Sequence, residues 1–92
     1  MTLVIHPHFH PRRTGVTAHI ETVVPALDQF IDTRAITRGI SLSPETPTLS
    51  IAQLKRSLQS GQPAIWHAHR NEEMLHGILL RARYPHLKLV YT

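Results

Sequence analysis

The sequence predicts an α/β fold, a Rossmann-like parallel sheet of about four strands with helices on both faces. Two observations carry that prediction. Short runs rich in β-branched and apolar residues, at 2–5, 33–37, 64–68 and 87–91, alternate with segments whose apolar residues recur every three or four positions. Strands that alternate with helices in this way build parallel sheets with helices packed on their faces. Right-handed crossovers then place the second strand on one side of the first, and the third and fourth on the other. The topological switch point falls between strands one and three, where ligands bind in open α/β sheets.

The elements follow in order. Residues 2–5 read as a buried strand, stopped where Pro7 and Pro11 remove backbone donors. A loop over 6–15 leads into a helix. Thr14 is its candidate cap, and Val16, Ile20, Val23, Val24, Leu27 and Phe30 form its apolar stripe. Gly15 permits close backbone approach or positive φ. Pro25 conflicts with that helix, so the reading is either a kink at Val24-Pro25 or two separate sets of turns. A strand over 33–37 and a proline- and hydroxyl-rich loop over 43–48 come next. Ser50 and Gln53 form a capping box ahead of Ile51, Leu54 and Leu58. Gly61 and Pro63 end this second helix. Strand 64–68 is the central one. Asn71 is the expected cap of a third helix, with Glu72 and Glu73 in its first turn favoured by the helix dipole. Met74, Leu75, Ile78, Leu79 and Ala82 are its expected core face, and Pro85 closes it before the last strand.

Composition narrows the function classes. Ninety-two residues make one small domain or part of a larger one. There is no cysteine, hence no disulfide and no thiolate chemistry. No run approaches the roughly 18 apolar residues of a membrane span, and the first residues lack a signal-peptide pattern. Ten Lys and Arg against six Asp and Glu give a net charge of +4, which favours phosphates and other acidic partners. No interleaving of aromatic and basic residues supports nucleic-acid binding.

Three constellations carry chemistry. Arg12-Arg13-Thr14-Gly15 precedes a helix start, a pattern that suits an anion cradle and equally a solvated basic turn. His6, His8 and His10, joined by His67 and His69, alternate along extended chain. Neutral imidazoles at that spacing suit a divalent metal. They also suit hydrogen bonds to loop backbone or a substrate hydroxyl, which is the preferred reading, and no metal or other cofactor is expected. His69, at the end of the central strand beside Arg70 and Asn71, can orient a hydroxyl or move a proton near neutral pH. The adjacent Glu72 and Glu73 point to different sides of their helix and make a poor catalytic pair. Trp66 and the apolar helix stripes read as core.

These residues also carry a resemblance. His6-Pro7-His8-Phe9-His10-Pro11-Arg12-Arg13-Thr14-Gly15-Val16-Thr17, a helix containing Glu21-Thr22-Val23-Val24-Pro25, and the stretches 65–75 and 87–92 resemble the opening of family 4 glycosyltransferases of the GT-B fold. The subgroup is the mannosyltransferase-like enzymes of lipopolysaccharide core assembly. The resemblance spans essentially the whole chain but only the first part of such an enzyme. It implies that residues 1–92 are a partial N-terminal Rossmann-like domain, without the C-terminal nucleotide-sugar domain, inactive alone. It implies a phosphate or donor loop at Thr14, Gly15 and Val16, with one glycine where many members have two. It implies a catalytic role for His69 beside the reacting sugar, and acceptor or substrate contacts from His8, His10, Arg12, Arg13, Arg70 and Asn71. The implied partners are a nucleotide sugar and a glycan or lipid-linked acceptor. The implied setting is cytoplasmic, peripheral at the inner membrane face. An exposed edge of the last strand further suggests homo-oligomers. The alternatives are a non-catalytic self-associating or phosphate-binding module, and a histidine-based metal-binding domain.

Overall fold

The computed structural model describes residues 2–92. The chain runs β1 (Leu3–His8), α1 (Gly15–Leu27), β2 (Asp32–Thr37), α2 (Ile51–Gln59), β3 (Ala64–Ala68), α3 (Asn71–Arg83) and β4 (Leu87–Tyr91). The four strands form one sheet in the order β2-β1-β3-β4, all pairs parallel. The predicted class, strand order and switch point are all present.

Side chains alternate across the sheet. Leu3 and Ile5 of β1, and Ala64, Trp66 and Ala68 of β3, face one way and cluster with Leu54 and Leu58 of α2 and with Tyr84 and Leu87. On the other face, Ile20 and Val24 of α1 pack on Ala35 of β2. α1 packs mainly on β1 and β2. The residues of β3 and β4 on that face, Ile65, His67, Lys88 and Val90, are correspondingly half-buried or exposed.

β1 runs on through Pro7 to His8, past residue 5 where the sequence predicts its end. The carbonyl of His8 accepts from Arg38 N on the β2 side. The neighbouring Pro7 therefore turns its nitrogen toward β3, whose pairing with β1 stops at Ile5–Trp66. No ladder donor is required of Pro7 there, so the strand tolerates it.

α1 is a single helix that passes through Pro25, not two sets of turns. Pro25 lies in the last turn, so only the bond to the Glu21 carbonyl is forfeited. Phe30, expected in the stripe, falls beyond the helix and is 81% exposed. α2 begins with the predicted capping box: Gln53 N donates to Ser50 Oγ and Ser50 N donates to Gln53 Oε1. α3 departs most. Arg70, not Asn71, is its N-cap, and it makes no side-chain capping bond. Its buried face holds Glu73 and Gly77, with Met74 and Leu80 partly buried, while Leu75, Ile78 and Leu79 are exposed. The rotation has a packing cause. Gly77 lies so close to Trp66 that a Cβ there would sit 2.5 Å from Trp66 Cδ1. The largest core side chain thus selects the smallest residue of α3 as its contact.

The two sheet edges differ. Residues 47–49 run beside β2, where Ala35 N donates to Pro47 O and Leu49 N donates to Ala35 O. β4 has no such cover among the described residues.

Candidate functional site

The carboxyl ends of β1 and β3 lie side by side, and the loops that leave them are in contact. Arg70, just after β3, makes the junction. Its Nη1 donates to Glu73 Oε2 at 2.8 Å and its Nη2 donates to Thr14 Oγ1, the cap of α1. Glu73 Oε2 also accepts from the backbone N of Phe9 at 3.0 Å. A carboxylate that is 1% exposed thus ties the β1 loop to the β3 loop through one backbone donor and one guanidinium. Glu73, read from sequence as a first-turn charge, is a structural centre of the site. Its spacing of three from Arg70 was the available signal.

Thr14 works on its own loop as well. It accepts from Val16 N at 3.2 Å, while its backbone N donates to Thr17 Oγ1 at 2.9 Å. Gly15 is the first helical residue, and a Cβ placed there would meet no atom within 4 Å. Its φ is not positive; only Gly39 and Gly61 take that conformation among the described residues. The fold therefore does not need glycine at 15, and free space remains above the helix start. Val16 is half-buried and packs against the cluster of Ile20, Val24 and Ala35.

The basic residues divide. Arg13 is ion-paired with Glu21, whose carboxyl is held below its usual pKa chiefly by that hydrogen bond. Arg12 is exposed, and its backbone N donates to His10 Nδ1 at 3.1 Å. Arg38, not foreseen from sequence, pairs with Glu72 at 2.8 Å and lays its guanidinium 5.0 Å from the Phe9 ring centroid. It brings the end of β2 to the same edge. Asn71 is exposed, and its Oδ1 accepts from Tyr91 OH at 2.5 Å.

The histidines split into separate sets. His8 is fully buried and bonded through Nε2 to Thr17 Oγ1 at 2.5 Å. Burial, then the nearby Arg70, lowers its pKa. His10 serves its own loop. His6, His67 and His69 come together on the α1 face of the sheet, with ring centroids 5.2 Å apart for His6 and His67 and 4.6 Å for His67 and His69. His19 of α1 places its ring 5.4 Å from that of His69. Burial first, then the other imidazoles, lowers the pKa of His6 to about 4. Burial also lowers His67 and His69. At neutral pH these three rings are uncharged, so each offers a lone pair. The switch point thus presents a cation, a hydroxyl and an open helix start on one side and neutral imidazoles on the other.

A four-stranded parallel sheet in the order β2-β1-β3-β4, with its switch point between β1 and β3, defines a Rossmann-like unit. Comparison with known proteins gives that unit its relatives. The chain is 37% identical over 94 residues to the lipopolysaccharide core biosynthesis mannosyltransferase LpcC of Rhizobium leguminosarum bv. viciae. It is also 37% identical over 95 residues to the lipopolysaccharide core biosynthesis mannosyltransferase LpsB of Rhizobium meliloti. Each match covers 97% of this chain and 26% of the relative, so the chain spans about a quarter of the length of these curated relatives. Over nearly its whole length the chain is thus similar to part of two proteins named as lipopolysaccharide core mannosyltransferases. No protein-family model matches it, and no solved structure matches it. No helix among the described residues is long and apolar enough to cross a membrane.

Proposed function

We propose that this chain is the partial N-terminal Rossmann-like domain of a GT-B glycosyltransferase that transfers a sugar, mannose by the names of its relatives, from a nucleotide sugar to a glycan or lipid-linked acceptor in lipopolysaccharide synthesis. The observation that carries the reading is the Arg70 bridge. One guanidinium holds the cap of α1 and the start of α3 together, so the β1 and β3 loops are joined at the switch point, with Arg12 as the exposed cation beside them. Thr14, Gly15 and Val16 supply the phosphate loop, with Gly15 leaving room for a phosphate to approach the backbone. His69, at the end of β3, faces the reacting sugar, while His10 and Asn71 line the acceptor side. His8 and Arg13 act from behind, through Thr17 and Glu21. The same proposal includes self-association along the open β4 edge and peripheral contact with an anionic membrane face.

Isothermal titration of the chain with a nucleoside diphosphate and with a nucleotide sugar, both at low salt, tests it. Binding that is lost in Gly15→Val and in Arg12→Ala is the expected result. A Cβ at position 15 meets no neighbouring atom in the fold, so loss of binding in Gly15→Val reports on the ligand. A chain that is folded by circular dichroism and binds neither ligand refutes the phosphate-loop assignment.

A further inference from the structure

We infer that His6, His67 and His69 form a binding site for one late first-row divalent metal ion, of which Zn²⁺ is the reference case. One ligand nitrogen from each of the three lies within 4.8 Å of the other two. Zinc bound to imidazole at about 2.0–2.1 Å in tetrahedral geometry needs ligand nitrogens about 3.4 Å apart. The rings reach that by closing on a common point through about 1 Å each. For the two half-buried members, His67 and His69, this is a side-chain adjustment.

Hydrogen bonding singles out the same atoms. Both ring nitrogens of His6 are buried without a partner among the described residues, as is Nε2 of His69. His6 is 3% exposed, so water does not readily satisfy it. A buried nitrogen left unpaired carries its full desolvation cost, and a metal removes that cost at the lone pair it takes. His67 Nε2 is hydrogen-bonded with the Thr92 hydroxyl at 2.8 Å, which leaves Nδ1 as the ring nitrogen for the metal and makes Thr92 the outer contact of a metal ligand.

The donor set selects the metal class. Three imidazoles with neither carboxylate nor thiolate suit Zn²⁺, Cu²⁺ or Ni²⁺ and disfavour Mg²⁺ and Ca²⁺, which need oxygen. Three protein ligands leave a fourth position open toward the half-covered face, where His19 approaches. The site is distinct from a histidine set chosen by spacing alone. His8 is committed to Thr17 and His10 to its own loop, and neither joins the group. A metal on His69 occupies its lone pair, so metal occupancy and proton transfer by His69 exclude one another.

The test uses the 92-residue chain without an affinity tag, freed of metal and titrated with Zn²⁺ against a chromophoric chelator. One Zn²⁺ per chain is expected. His67→Gln and His69→Gln should each weaken it by at least about tenfold, within the range that loss of a metal-site interaction produces. His10→Gln and His86→Gln should leave it within about twofold. Titration with Co²⁺ should give a visible absorption band that the same two variants abolish. Binding well below one ion per chain, or binding that survives both His67→Gln and His69→Gln in chains shown folded by circular dichroism, overturns the proposal. Neither outcome depends on nucleotide binding.

Discussion

Replacing Arg70 with alanine should remove a large share of the stability of this chain. Glu73 is 1% exposed, and its Oε2 keeps only the Phe9 N–H at 3.0 Å once the guanidinium is gone. Its Oε1 has no partner to begin with among the described residues. Breaking a buried ion pair from one side costs about 3–5 kcal/mol because the other charge stays behind. The Arg70 side chain is 21% exposed, so the lower end, about 3 kcal/mol, is the appropriate figure. A domain of this size is stable by about 5–14 kcal/mol, and at about 4–8 °C per kcal/mol the melting temperature should fall by ~12–24 °C. Urea unfolding followed by far-ultraviolet circular dichroism measures the loss. The double variant Arg70→Met with Glu73→Gln removes both charges while keeping an acceptor for Phe9 N, and should regain at least about 1 kcal/mol over Arg70→Ala. An Arg70→Ala cost below about 1 kcal/mol, or a double variant no better than the single one, would show that the pair does not hold the two loops together.

Three further outcomes follow from the same fold. The pKa of His6 is about 4 in the fold against 6.5 when free. The unfolded chain therefore binds the extra proton first as pH falls. Stability from this group is complete above pH 6.5 and declines toward pH 4, by about 3 kcal/mol in total. Urea midpoints measured in chelator across the range between those two values should show that slope, and His6→Gln should flatten it. Gly77→Ala places a Cβ 2.5 Å from Trp66 Cδ1 and 3.0 Å from Leu89 Cδ2. Overpacking of about 1–3 kcal/mol should outweigh the helix-propensity gain of about 1 kcal/mol, and thermal melting that rises instead would contradict the tight contact. Pro25→Ala restores a donor to the Glu21 carbonyl inside α1 and should raise stability by about 1 kcal/mol or more, read as a later urea midpoint.

Most of the fold was legible because it rests on periodicity and turn chemistry. The boundaries of β3 and β4, the capping box of α2 and the cap Thr14 follow from residues that act locally. The departures arise where a distant partner decides. Pro7 stays in β1 because pairing with β3 has already ended, which depends on register and not on the proline itself. The apolar residues of α3 suggested a face through Leu75, Ile78 and Leu79, yet Trp66 and Phe9 turn the helix to present Gly77 and Glu73 instead. The site was half legible. Strand alternation placed His67 and His69 together and the topology brought the β1 loop beside them. The sequence also joined His6 to that pair, but the separation of His8 and His10 from it required the bonds to Thr17 and to the loop backbone.

The single tryptophan gives this arrangement an optical output. Trp66 Nε1 donates to the carbonyl of Glu73 at 2.8 Å, and the side chain of the same glutamate holds Phe9 and Arg70. The Phe9 ring lies 5.9 Å from the indole. A ligand that pulls Arg70 or the β1 loop must therefore shift the polarity felt by a completely shielded indole, with no dye attached. Emission wavelength and quantum yield become a continuous record of whether the two loops are latched, in a chain where no second indole contributes background.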